Sequence, residues 1–210
     1  MTHPALNRRH LLLPLCAAAL PRAAWALDAT PKLSAPIQYK LGDKLAASPA
    51  PVINPGAYKE ISWDALVPKD WDPLKRFRAT DLSKLKDSDP RADALLREMR
   101  AAWDNAPLVN TLAGQAIRIP GFVVPLDDGS AGLREFLLVP YFGGCVHSPP
   151  PPANQIIHVQ TTKPLPSLTV MTPVWVHGTL QVQRSDSAMG VSGYKVSNAL
   201  LMLYGETRAK

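Results

Sequence analysis

Between residues 174 and 184 the chain changes character at every step. Val174, Val176, Gly178, Leu180 and Val182 alternate with Trp175, His177, Thr179, Gln181 and Gln183. A period of two belongs to an extended strand and cannot be satisfied by a helix. Residues 116–126 predict another strand, interrupted by Pro120-Gly121, where a bulge or tight bend is expected. Residues 136–140 are a continuous apolar run, the pattern of a strand buried on both faces, and Asp127-Asp128-Gly129-Ser130 before it reads as a turn. Residues 156–161 predict a further strand. Residues 194–204 start as one, although Ala199, Leu200, Leu201, Met202 and Leu203 fit strand or helix alike. Gly114, Gly121 and Gly178 offer places where strands can curl. The expected fold is therefore mainly β in an α+β chain: a small OB-like antiparallel barrel, with a β-sandwich as the alternative.

What precedes the strands is simpler. Asp89-Pro90 opens a helix whose Ala94, Leu95, Met99 and Trp103 form an apolar stripe expected to pack on the core, and Pro107 bounds it. Within 61–68, Ser62 is the expected N-cap of a single helical turn stopped by Pro68, and Trp63 and Trp71 anchor an extended strap. Residues 27–57 are proline-rich and aperiodic, which predicts an extended or disordered linker. Residues 58–206 then form one domain, in keeping with 210 residues of which 46% are hydrophobic.

The first 26 residues read as a cleaved signal peptide. Arg8 and Arg9 precede an apolar run over 11–20, and Ala24-Trp25-Ala26 supplies a small-x-small cleavage site. That run, interrupted by Pro14, is too short to cross a bilayer, so no membrane span is expected after cleavage. The expected location is the periplasm or the medium, and Asn7-Arg8-Arg9-His10 with Leu11-Leu12 resembles a twin-arginine export signal, ordinary secretion being the alternative. Cleavage removes three arginines and no acid, so 23 basic residues become 20 against 17 acidic, a net charge of +3. No Lys/Arg run is interleaved with aromatics, which argues against nucleic-acid binding. Cleavage also removes Cys16 and leaves Cys145 alone in an oxidising compartment, as a buried thiol, a metal ligand, a reactive group or an intermolecular bridge.

The chemistry concentrates in FGGCVHSPPPPANQ, residues 142–155. Gly143 and Gly144 permit close backbone approach or positive φ. Cys145 and His147, two apart, share a face if the backbone is extended, and a Cys-x-His pair is competent for zinc or copper. Pro149, Pro150, Pro151 and Pro152 form a stiff polyproline rod, and Asn154 and Gln155 can tie its end to neighbouring backbone. His158, His177 and Asp127 are the candidates to complete a metal site. A metal-free alternative makes Tyr141, Phe142 and the prolines a docking surface for a protein partner. A thiol enzyme ranks lower, because no third group is evident to orient Cys145 and His147.

These segments carry a resemblance. ISWDALVP (61–68), IRIPGFVVPLD (117–127), LLVPYFGGCVHSPPPPANQ (137–155) and VWVHGTL (174–180) are similar to the DUF3299 family of exported bacterial proteins. The resemblance implies a secreted or periplasmic protein whose motif positions are Cys145, His147, Pro149 to Pro152, Asn154 and Gln155. It further implies an accessory role beside an ABC-type transporter or another envelope protein, in some members concerned with metal ions.

Overall fold

A computed structural model describes residues 38–46, 57–73, 75, 78, 89–127, 132–165 and 168–205. The expected signal peptide and most of the expected linker lie outside the described residues. Six strands are present: β1 (Lys59–Glu60), β2 (Ala116–Pro125), β3 (Leu133–Val139), β4 (Ile157–Leu165), β5 (Pro173–Ser187) and β6 (Gly190–Leu203). They pair in the order β1-β2-β3-β4-β6-β5, and β2 pairs again with β5. The five strands β2 to β6 thus close on themselves as a ring, not as two stacked sheets. The ambiguous 199–203 stretch is strand, held between β4 and β5.

The ring departs from the antiparallel expectation at one pair, β4 with β6, which runs parallel. Five strands cannot alternate direction all the way round a closed ring, because the number is odd. The chain places the mismatch where the β5–β6 hairpin meets β4. β1 also pairs in parallel, with β2 from outside the ring.

Two apolar clusters explain why Phe136, Leu137, Leu138 and Val139 are all buried. Phe136 and Leu138 point inward and join Ile117, Ile119, Val123, Ile157, Val159, Val174, Val176, Leu180, Tyr194 and Val196. Leu137 and Val139 point outward, with Phe122, Val124, Ile156 and Met171, into a second cluster on the ring's exterior. Inside, the walls approach closely. A Cβ on Gly121 would stand 2.7 Å from Leu138 Cγ, and one on Gly178 would collide with Val196 Cγ1.

Pro120-Gly121 forms no bulge: the β2–β5 register is unbroken from Ala116 to Phe122. The reason lies in which edge each residue faces. Val123 exchanges hydrogen bonds with the β5 side, giving its N–H to Thr172 O and accepting from Met171 N. Odd-numbered β2 residues therefore serve β5. Pro120 faces the other edge, between the ends of β1 and β3, so its missing N–H costs no ladder bond. Its carbonyl accepts instead from Trp63 Nε1 at 2.7 Å.

α1 (Pro90–Asp104) begins as expected, with the Asp89 side chain accepting from Arg91 N at 2.9 Å. None of its residues is fully buried, however. Its stripe only half-covers Leu95, Met99 and Trp103 against the outside of the ring, because the interior is already filled from the strands. The turn at Trp63–Leu66 is 3-10, and Ser62 caps it by position without a side-chain bond.

Candidate functional site

The motif loop is coiled, not extended. Tyr141 O accepts from Gly144 N across a turn whose third residue, Gly143, has φ +86°. The Gly143 carbonyl then accepts from Val146 N (3.2 Å), His147 N (2.9 Å) and Ser148 N (3.1 Å), and from Ser148 Oγ at 3.2 Å. Wrapping four donors around one oxygen forces Cys145 into the left-handed region, φ +65°. The same-face geometry expected for Cys145 and His147 requires extended backbone, so it does not occur. The close approach that the glycines allow is made by the chain itself: a Cβ on Gly143 would collide with Leu41 Cδ1.

That contact belongs to a strap. Residues 38–46, expected to be linker, pair with the loop through Phe142 N to Asp43 O and Gly42 N to Phe142 O, both 2.9 Å. Tyr39 stacks on Phe142 (5.9 Å) and meets Phe122 edge-on (5.1 Å). Aperiodic sequence docks here because its bonds are to the loop, which no local pattern reports. Phe142 thus faces the outer cluster instead of forming an exposed docking surface. The prolines are used in the same way. Pro151 is buried, and Pro150 lies 3.1 Å from where a Gly190 Cβ would be. Asn154, fully buried, donates to Pro107 O at 3.1 Å, which fastens the end of the rod as anticipated. Gln155 turns back through its own N–H to Pro152 O.

The five expected metal donors occupy separate surroundings. The Cys145 thiol joins the outer apolar cluster, and burial pushes it up to about 12, against a smaller downward pull from Arg100. His147 is exposed. His158 is on the outer face of β4, with Nε2 3.3 Å from Glu135 Oε2 but not aligned as a hydrogen bond. Burial lowers its pKa, and Glu135 opposes that. His177, 1% exposed, packs under the Tyr58 ring at 5.4 Å, beside its cross-strand neighbour Arg118. Burial lowers its pKa too, the Leu200 backbone opposing and Arg118 adding. Asp127 ties the end of β2 to the start of β3, accepting from Arg134 N (3.0 Å) and Glu135 N (3.3 Å); the rest of the turn expected at 127–130 lies outside the described residues. Among the described residues, no three His, Cys, Asp or Glu side chains gather closely enough to hold a metal ion. The expected zinc or copper donors are therefore spread over the motif loop, the outer faces of β4 and β5 and the end of β2.

A different concavity lies between the two straps. A cleft of about 450 Å³ is lined by Lys44, Leu45 and Ala46 on one side and by residues 60–64 on the other, with Pro120, Pro140 and Trp175 completing it. Trp175 is 1% exposed and stacks on Tyr204 at 5.8 Å; its indole N–H has no acceptor among the described residues. Trp63 is held by its bond to Pro120 O. Glu60 is paired with Arg118 at 3.1 Å, whereas Lys44 and Asp64 are exposed and have no ion-pair partner among the described residues. The sequence signal for this cleft was Trp175 itself, a large aromatic on the polar side of an alternating strand. Only the straps, remote in sequence, turn that side into a floor.

Comparison with known proteins fits this architecture. The DUF3299 family, proteins of unknown function, matches residues 63–202. The chain belongs to the DUF3299 family. It is also similar to the crystal structure of a DUF3299 family protein from Pseudomonas aeruginosa PAO1, at 35% identity and a TM-score of 0.54, over 72% of this chain and 99% of that one. None of the curated proteins compared matches it. The DUF3299 match takes in α1, the ring and the motif loop but begins at Trp63. The Lys44–Ala46 wall of the cleft therefore lies N-terminal to the matched region.

Proposed function

We propose that this DUF3299 protein is an exported, non-enzymatic binding protein of the bacterial envelope, accessory to a transport system or another envelope assembly. The cleft between the straps holds its ligand, and the Cys-His-proline loop is the brace that keeps one strap in place. The observation that carries this reading is a cleft of ligand size, about 450 Å³, with Trp63, Pro120 and Pro140 in its walls and the buried Trp175 beneath them. A catalytic thiol is the less fitting role for Cys145, since nucleophilic cysteines sit in surroundings that lower the pKa and here burial raises it.

The test has two parts. In a Gram-negative host the full chain should appear in the periplasm with its first 26 residues removed, as measured by intact mass. Tryptophan emission of that protein should then shift when concentrated periplasmic fractions are added, and Trp175→Phe should suppress the shift. Emission unmoved by every fraction would sink the binding reading, and retention in the cytoplasm would sink export.

A further inference from the structure

The cleft is lined by one free charge of each sign and by apolar side chains, and we infer that it takes a zwitterionic ligand with an apolar body, of the class of a short peptide with free amino and carboxyl ends. This rests on the reading of the cleft as a binding site. Lys44 lies on one strap and Asp64 on the other, and both line the cleft. Glu60, the third charged group there, is already paired with Arg118. The remaining balance is one cation and one anion, which disfavours a purely anionic or purely cationic ligand.

Apart from these charged groups the lining is mostly apolar. Trp63 has its N–H committed to Pro120 O, so it offers its ring to a ligand, beside Pro120 and Pro140. Rings and prolines of this kind pack against aliphatic or aromatic side chains. A volume of about 450 Å³ suits a ligand of a few residues.

Calorimetric titration of the purified exported protein with phenylalanyl-leucine, and with its N-acetyl and C-amide forms, tests this. The free dipeptide should bind, and each blocked form should bind about tenfold more weakly, as loss of one charge-assisted contact predicts. Lys44→Met should erase the discrimination against the C-amide only, and Asp64→Asn the discrimination against the N-acetyl form only. Because each variant keeps one preference, general misfolding cannot mimic the pattern. Equal binding of free and blocked forms to the wild type would overturn the inference. So would no binding of any form by a protein whose emission still responds to periplasmic fractions, and that outcome would leave the cleft reading standing. If neither dipeptides nor fractions have any effect, both fall together.

Discussion

Replacing Tyr194 with phenylalanine should cost more than any loss of volume explains. Tyr194 is fully buried on β6, and its hydroxyl makes two bonds at once. It donates to Leu66 O at 2.7 Å, at the end of the Trp63–Leu66 turn, and accepts from Val109 N at 2.7 Å. One oxygen therefore joins β6 to the strap and to the segment after α1. Tyr194→Phe leaves a buried carbonyl and a part-buried N–H without this partner, at about 1–3 kcal/mol each at most, less the hydroxyl's own desolvation. The expected loss is roughly 2–4 kcal/mol, which for a domain of this size lowers the melting temperature by roughly 5–15 °C. Urea unfolding followed by far-UV circular dichroism gives the free energy directly, with the midpoint falling and the slope unchanged. A loss below about 0.5 kcal/mol, the range of an ordinary surface substitution, would refute the reasoning. It would mean that Leu66 O and Val109 N–H find other partners and that the strap is held without Tyr194.

Three further outcomes follow from the same geometry. Cys145, pushed up to about 12 by burial, should react with iodoacetamide at pH 7.5 on the order of a hundredfold more slowly in the native protein than in urea, read by mass spectrometry; equal rates would contradict its burial. His158 and His177 both have native pKa values lowered from 6.5 by burial, so the unfolded chain binds protons more readily. Their contribution to stability is complete above that value and declines as pH falls through it, and His177→Gln should flatten the pH dependence of the urea midpoint between pH 7 and 5; an unchanged slope would show that His177 does not contribute. Gly178→Ala places a methyl against Val196 inside the ring and should destabilise by about 1–3 kcal/mol, whereas Gly114→Ala meets open space and should cost only the strain of its positive φ, roughly 1 kcal/mol; equal losses would argue against the close crossing of β5 and β6.

Much of the ring is legible in the sequence. Period-two alternation in 174–184 and the apolar run at 136–140 reflect burial on one face and on two, and burial is a property each strand writes into its own residues. The candidate site was less legible for a definite reason. Reading Cys145 and His147 as a pair assumed extended backbone, but the Gly143 carbonyl draws the loop into a coil, and spacing in sequence carries no information about that curl. His158 and His177 stand on different strands, and their alternation in sequence says which face each takes but not how far apart the two strands lie.

The sequence alone determined where the five ring strands lie, though not the whole length of β6, together with the start of α1, the family and the presence of an unusual loop, because local patterning and motif residues suffice for these. Tertiary structure decided that an odd number of strands closes with one parallel pair, that Pro120 falls on an edge where its absent N–H is harmless, and that residues 38–46 form a strap. It also decided that a cleft exists at all. A strand's periodicity says which side is polar, but only the segments that cross over it decide whether that side meets solvent or becomes the floor of a site.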